Sequence, residues 1–266
     1  MRLRFPTVAV TLLAACSLSA HDTWLVPQKF RVPAGQPVPV ALNTSEAFPT
    51  SEAAAQPDRI ASFEVVTDTG RAPVTGYRVE GKSLVAEVTP GYGTTIVAAA
   101  TKPRFILLKP EQFSEYITAE RLETIVAARK ARGEDGKDGR ERYSKIAKLA
   151  LCSAGRDGAE PWEPLGLRVE IVPLVEPCGL RQGDEFEVEV LFGGKPLADV
   201  WVTGGYEGVH GHEYPVWVKT DSEGQAKIPL DRKGAWFVRV LHMVPSTEFE
   251  DADWQSWFST LTFEVQ

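Results

Sequence analysis

Residues 186–192 read Phe-Glu-Val-Glu-Val-Leu-Phe and begin with strict alternation of apolar and acidic side chains. A period of two places one side of a β-strand against a core and the other side in water. Similar short runs separated by Gly and Pro turns predict strands at 63–66, 84–88 and 95–98, and two more runs predict strands at 236–241 and 261–265. The chain is therefore predicted to be mainly β.

The spacing of these runs predicts two β-sandwich domains of the immunoglobulin or transthyretin type, at residues 21–105 and 165–266. Between them, residues 106–160 are predicted to form a short helical connector. One amphipathic helix enters through Pro110, and a second runs from Tyr143 to near Cys152. In the second half, residues 221–224 (Asp-Ser-Glu-Gly) predict a tight hairpin turn between strands at 216–218 and 226–228.

The first twenty residues have the pattern of a secretory signal peptide. Arg2 and Arg4 precede an apolar stretch over 5–18, and the small residues Ser19 and Ala20 follow it. Cleavage after Ala20 would make His21 the first residue of a periplasmic protein. Residues 13–16 (Leu-Ala-Ala-Cys) also resemble a lipoprotein box, and the alternative is a lipid-modified Cys16.

Charge and hydropathy exclude two classes of function. The chain has 29 Lys and Arg against 36 Asp and Glu, a net charge of −7, so no basic surface is expected to bind a nucleic-acid backbone. After residue 20, no apolar run is long enough to cross a bilayer.

Two cysteines, Cys152 and Cys178, remain once the predicted signal is removed. An even pair in an exported chain predicts a disulfide, because the compartment outside the cytosol is oxidising. The alternative is two unpaired buried thiols. A metal site at these cysteines is not expected, since the sequence has no Cys-x-x-Cys spacing.

The four histidines are His21, His210, His212 and His242. A free α-amine and the imidazole of an N-terminal His21 would chelate a metal ion through two nitrogen atoms, and a further imidazole would complete a site suited to Cu(II) or Ni(II). His242 follows Trp236, Val238 and Val240 at a period of two, which places it on the apolar side near the end of a strand. It is predicted to be that second imidazole.

His210 and His212 lie two residues apart in a glycine-rich stretch, and on an extended segment they would project to one side. They are further candidate ligands, and an exposed loop is the alternative interpretation. Asp22 and Asp253 are candidates to orient a ligating imidazole through its second ring nitrogen.

Several segments together resemble one bacterial family. They are residues 21–27 (His-Asp-Thr-Trp-Leu-Val-Pro), 139–145, 167–174, 190–192 with 195–198, 220–221 with Gly224, His242, 253–254 and 260–264. The family is a domain of unknown function, DUF4198, whose exported members are often labelled periplasmic components of cobalt or nickel uptake systems. The resemblance covers nearly the whole exported chain. It implies binding of Ni²⁺ or Co²⁺ outside the cytoplasm and delivery to a membrane metal transporter, whereas copper is a candidate only from the nitrogen ligands.

Two other functions remain open at this stage. A non-catalytic module for cell-envelope adhesion or carbohydrate binding is suggested by the two sandwiches and by Trp254, Trp257 and Phe258, which would stack on sugars. A copper-dependent oxidative enzyme is the third hypothesis, because an N-terminal histidine on a β-sandwich is also found in lytic polysaccharide monooxygenases. The remainder of the chain does not match those enzymes, and a protein without catalytic activity is expected.

Overall fold

The computed structural model describes residues 21–155 and 163–266, so the predicted signal peptide and Cys16 lie outside the described residues. The described part of the chain is mostly β, with two α-helices. In order, the elements are β1 (Asp22–Pro27), β2 (Val38–Ser45), β3 (Ile60–Thr67), β4 (Gly70–Pro73), β5 (Arg78–Glu80), β6 (Ser83–Val88), β7 (Gly93–Thr101), β8 (Arg104–Leu108), α1 (Pro110–Ala119), α2 (Glu123–Arg132), β9 (Gly139–Ser153), β10 (Val169–Pro173), β11 (Glu185–Phe192), β12 (Lys195–Pro196), β13 (Trp201–Tyr206), β14 (Val216–Lys219), β15 (Gln225–Pro229), β16 (Gly234–Pro245) and β17 (Trp254–Val265).

The described strands form one large sheet with a smaller sheet on each side of it. The large sheet has the order β14-β13-β16-β17-β9-β7-β3-β4, and β8 extends it beside β9. Sheet β1-β2-β6-β5 covers one side, here called the front face, and the sheet built on β10, β11, β12 and β15 covers the other, the back face. Neighbouring residues accordingly enter different cores: Val97 and Leu149 pack in front, whereas Ile96 and Ala150 pack behind.

Both halves of the chain contribute to the large sheet. They meet where β17 runs parallel to β9, from the pair Trp254 and Glu141 to the pair Thr262 and Leu149. The β-sandwich fold predicted from the sequence is confirmed, with the qualification that the two sandwiches share a sheet. Independent folding of the ranges 21–105 and 165–266 stays a prediction.

The helical connector is only partly as predicted. Pro110 opens α1 in its first turn, and α2 ends at Gly133, whose φ of 64° is accessible to glycine. The two helices cover the front face beside β1 through Phe113, Ile117 and Ile125. The second predicted helix was wrong, because Tyr143 to Cys152 belong to the fifteen-residue strand β9.

The predicted turn at 221–224 forms, with Asp221 N donating to the carbonyl of Gln225 at 2.9 Å. The strands around it do not form the predicted hairpin, since β14 pairs with β13 whereas β15 pairs with β11 in the back sheet. The segment therefore carries the chain from one layer to another.

The predicted disulfide is confirmed: Cys152 at the end of β9 is bonded to Cys178, with their Cα atoms 5.6 Å apart. Cys178 lies between β10 and β11, so the bond ties the central sheet to the back layer. None of the described helices is long and apolar enough to span a membrane.

Candidate functional site

Strand β1 fixes the position of the predicted chain start. Thr260 and Thr262 of β17 donate hydroxyl hydrogen bonds, each of 2.6 Å, to the carbonyls of Thr23 and Leu25. Residues 22–25 are buried against the front face. His21 directly precedes β1 in the sequence. Its backbone is therefore held by an anchored strand.

The His21 imidazole lies between two carboxylates. Its side chain is 14% exposed, and Nε2 lies 3.0 Å from Glu52 Oε2 and 3.7 Å from Glu46 Oε1. The hydrogen bond from Ser45, together with the nearby His21, lowers the pKa of Glu52, so this carboxylate is charged at neutral pH. From this geometry Nε2 donates its proton to Glu52, and in the neutral tautomer with that proton the lone pair is on Nδ1.

The loop that carries His210 and His212 lies beside the same carboxylate segment. Gly211 N donates to the carbonyl of Glu46 at 2.7 Å, and His210 forms an isolated antiparallel bridge with Ala47. Two of the candidate histidine segments therefore meet on the front side of the molecule.

His212 is partly enclosed, whereas His210 is exposed. Nδ1 of His212 lies 3.5 Å from Glu120 Oε1. Within the described chain this nitrogen is buried and has no hydrogen-bond partner. An unpartnered imidazole nitrogen is available to a ligand.

His242 lies on the other side of the large sheet. The sequence correctly places it on the side of Trp236, Val238 and Val240, which form the back core. Its ring centroid is 4.6 Å from that of Phe192. Burial, and then the positive charge of Arg168, lower the pKa of His242 to about 4, so its ring is neutral at pH 7.

The predicted convergence of His21 and His242 is corrected by this arrangement. Lys145 reaches the carbonyl of His21 from the front face, whereas His242 packs in the back layer. The two imidazoles are separated by the sheet itself.

The two predicted orienting carboxylates also have other partners. Asp22 accepts from Arg239 Nε at 2.6 Å and from the Tyr214 hydroxyl at 2.7 Å. Asp253 accepts from Arg140 at the surface, with Nε 2.9 Å away. Neither carboxylate is bonded to an imidazole among the residues described.

A buried ionic cluster occupies the front face between β1 and α1. Arg239, whose side chain is 2% exposed, donates to both oxygens of Glu120, at 2.8 and 2.6 Å, as well as to Asp22. The guanidinium thereby links the neighbour of His21 to the carboxylate beside His212. Buried charges require such pairing, because an unpaired one is costly to remove from water.

Glu141 and Lys145 of β9 extend this cluster. Glu141 accepts from Tyr116 at 3.3 Å and from Ser256. Burial raises the pKa of Glu141 to about 7 and lowers that of Lys145 to about 8. Lys145 also donates to the His21 carbonyl, so the cluster contacts the backbone of His21 directly.

The sequence interpretation missed the members of this cluster other than Asp22. Arg239 lies within the apolar run of β16, between Phe237 and Leu241 on the same face. Lys145 is similarly placed in β9. A charged residue at an inward position of an apolar strand is the signal that would have found them.

Side chains alone do not complete the predicted metal site. In the ranges 21–155 and 163–266, no three His, Cys, Asp or Glu side chains form a group that could hold a metal ion. A site at His21 therefore depends on a donor that is not a side chain, and the α-amine released by signal cleavage would be such a donor.

The aromatic residues suggested for sugar stacking are not available at the surface. Trp254 and Trp257 are 0% and 4% exposed, and Phe258 is also buried. They fill the cores under the helices and beneath the back sheet. A carbohydrate site, if present, would use other side chains.

Comparison with known proteins gives a family and loosely similar folds. The family model described as "Domain of unknown function (DUF4198)" matches residues 18–244. No curated protein matches the chain. Among solved structures, the D0-D1 domain of intimin is 12% identical with a TM-score of 0.21, and the match covers 90% of this chain and 96% of that one.

Two further structures are similarly distant. The adhesin InvE of Yersinia pseudotuberculosis is 11% identical, with 90% of this chain and 58% of that chain covered and a TM-score of 0.25. The MG0-NIE-MG1 part of alpha-2-macroglobulin from Escherichia coli is 9% identical, with 91% and 95% covered and a TM-score of 0.22. These superpositions are too loose to transfer an activity.

Proposed function

We propose that this chain, which belongs to the DUF4198 family of unknown function, binds one divalent transition metal ion outside the cytoplasm through the α-amine and imidazole of His21. The observation that carries the proposal is the contact between His21 Nε2 and Glu52, at 3.0 Å. A ligating histidine commonly donates its second ring N–H to a carboxylate, which fixes both the tautomer and the orientation of the ring.

The tautomer supports chelation by the chain start. With the proton on Nε2, the lone pair of Nδ1 is free, and Nδ1 and the α-amine of the same residue can close one chelate ring around a metal ion. The carbonyl of His21 is bound by Lys145 and its imidazole by Glu52, so both sides of the residue are fixed in advance. A fixed pair of ligands costs less entropy to bind than a flexible terminus.

The neighbouring loop offers a third nitrogen. The buried Nδ1 of His212 lacks a hydrogen-bond partner among the described residues, and the loop that carries it is bonded to Glu46. Glu46 itself lies 3.7 Å from the His21 ring. We assign His212 as the additional ligand.

Nitrogen ligands of this kind suit Ni²⁺, Co²⁺ and Cu²⁺, with copper bound most tightly in the general order of affinities. The family resemblance favours an uptake role, in which the bound ion is passed to a membrane transporter. His242 has no part in this site.

The experiment is calorimetric titration of exported protein with Ni²⁺ and with Cu²⁺, after mass spectrometry has established that His21 is the first residue. We expect sub-micromolar binding that is lost in His21→Ala and in a chain with one alanine added before His21. Glu52→Gln should weaken binding by about tenfold to a hundredfold, because a neutral amide oxygen replaces the charged acceptor of the Nε2 proton. The matched control is His242→Phe, on the back face, which should bind as the parent protein does.

Two results would contradict the proposal. One is a mature chain that begins at a lipidated Cys16, since the amine of His21 would then be part of a peptide bond. The other is unchanged affinity in both His21→Ala and the extended chain, which would place the metal elsewhere.

A further inference from the structure

A cavity lies near the end of β9 that is distant from the proposed metal site. Its volume is about 640 Å³, and it is formed by the loop before β2, the turn between β3 and β4, the loop between β6 and β7, and Gly155. Gly155 is ten residues from Lys145, and eight of those steps lie in the strand, about 26 Å at 3.3 Å per residue. The cavity is therefore separate from the site at His21.

Hydrogen bonds hold two of the loops around this cavity. Gly35 N donates to the carbonyl of Pro90 at 2.8 Å, which joins the loop before β2 to the loop between β6 and β7. From the latter loop, Gly91 N donates to Thr95 Oγ1 at 3.0 Å. Such bonds favour one arrangement of the lining, as a preformed ligand site requires.

Tyr92 provides an aromatic surface in the cavity. It is 56% exposed, more than any other exposed large hydrophobic residue of the described chain. A Cβ on Gly155 would lie only 3.2 Å from Tyr92 Cδ1, so the ring approaches the backbone of Gly155 where a larger residue would crowd it. The ring is thus supported by the protein and still open to a ligand.

Asp68 places a carboxylate in the same cavity. Its Oδ1 comes so close to Gly91 that a Cβ there would be 2.4 Å away, so only glycine permits this approach. Within the described ranges, no residue donates a hydrogen bond to the carboxylate or forms an ion pair with it. The hydroxyls of Thr67 and Thr69, 2.9 Å apart, lie on either side of it in the sequence.

We propose that this cavity binds a neutral pyranose unit of a glycan. The C–H face of a sugar ring is apolar and stacks on an aromatic side chain, while its hydroxyls donate to carboxylates and exchange hydrogen bonds with threonine. The net charge of −7 disfavours an anionic ligand, and among the described residues no basic side chain lines the cavity. Asp68 and Tyr92 supply the acceptor and the platform that the buried tryptophans do not.

The proposal is independent of the metal site and is tested on the complete exported chain. Chitotetraose and maltotetraose, both neutral, are titrated by calorimetry and by saturation-transfer NMR. We expect one of them to bind, with Tyr92→Ala weakening the affinity by about tenfold, a change of about 1.4 kcal/mol. Tyr92→Phe should keep the affinity, and Asp68→Asn should weaken it.

Leu107→Ala is the matched control, since Leu107 is a 50% exposed side chain on β8 outside the cavity, and its affinity should equal that of the parent. Circular dichroism and Ni²⁺ titration of the Tyr92 variants check that the fold and the first site are intact. The glycan proposal is overturned if neither oligosaccharide binds at about 10 mM, well above the range expected for a specific site. It is also overturned if Tyr92→Ala binds as tightly as the parent. His21→Ala, which should lose metal binding, should bind the oligosaccharide as the parent does, both by calorimetry and by saturation-transfer NMR.

Discussion

Arg239 Nε lies 2.6 Å from Asp22 Oδ1, and both side chains are almost fully buried. This contact joins the strand that follows the predicted signal to the penultimate strand of the chain, 217 residues later. Because Glu120 holds the other side of the same guanidinium, β1, the end of α1 and β16 are fixed together by one residue.

Substitution of Arg239 is expected to be strongly destabilising. Arg239→Met keeps most of the side-chain volume but removes the guanidinium that is hydrogen-bonded to the buried carboxylates of Asp22 and Glu120, which should cost about 3–5 kcal/mol of unfolding free energy. The measurement is urea denaturation at pH 7. Arg140→Met removes an arginine from a surface pair with Asp253 and should cost at most about 1 kcal/mol. If both variants lost the same unfolding free energy, the buried cluster would stabilise the fold no more than a surface ion pair does.

The raised pKa of Glu141 predicts a pH-dependent effect of Glu141→Gln. In the folded protein the carboxyl titrates at about 7 against a usual 4.5, so the folded state holds the proton more tightly and the parent loses stability as pH rises through that interval. The amide does not ionise. We expect the free energy of unfolding of the variant to equal that of the parent near pH 5 and to exceed it by about 2–3 kcal/mol at pH 8. The measurement is urea denaturation.

The surface residue Glu223, in the turn before β15, is the control for that comparison, and Glu223→Gln should show no such trend. A constant difference between Glu141→Gln and the parent at all pH values would refute a buried, titrating carboxyl.

The lowered pKa of His242 predicts the opposite dependence. The folded state titrates at about 4 and an exposed imidazole at 6.5, so on acidification the unfolded chain takes up the proton first and the folded state loses stability below pH 6.5. Between pH 7 and pH 5, protonation of His242 in the unfolded chain lowers the free energy of unfolding by about 2 kcal/mol. In His242→Phe, which keeps an aromatic ring beside Phe192, that part of the acid sensitivity should vanish from the denaturation curves. An unchanged slope would mean that His242 titrates normally.

Loss of the disulfide is expected to lower the unfolding free energy by about 3–4 kcal/mol, because Cys152 and Cys178 close a loop of 26 residues. The double variant Cys152→Ala, Cys178→Ala is compared with the parent by thermal and urea denaturation. Reductant should lower the midpoint of the parent and leave that of the variant unchanged. Insensitivity of the parent to reductant would indicate that the bond carries little of the stability.

The strands that the sequence predicted individually are all present, because their runs are bounded by clear turns, as at β6, β11 and β16. The sequence failed at β9, where Tyr143, Ile146 and Leu149 follow a helical spacing. Both faces of this central strand are covered, so it has no wet side and shows no alternation of polar and apolar residues. Lys148 is tolerated there because it donates to Glu170, at 2.9 Å.

The candidate site was predictable only in part. Alternation along β16 correctly assigned the face of His242, but nothing in the sequence states which layer covers that face. Strand β1 packs on the front face of the large sheet through hydrogen bonds from Thr260 and Thr262. Such contacts between distant segments leave no local pattern in the sequence. The meeting of His21 with the loop at His212 follows from the same long-range packing.

The parallel pairing of β17 with β9 means that the chain cannot be divided into its two apparent halves without opening a sheet. A fragment cut near residue 160 would expose the backbone of β17 along nine residue pairs on one side, and its complement would expose the matching edge of β9. Co-expressed pieces would be expected to recombine through those edges, whereas either piece alone would tend to aggregate. The shared sheet thus makes each half of the chain depend on the other to cover one edge of its backbone.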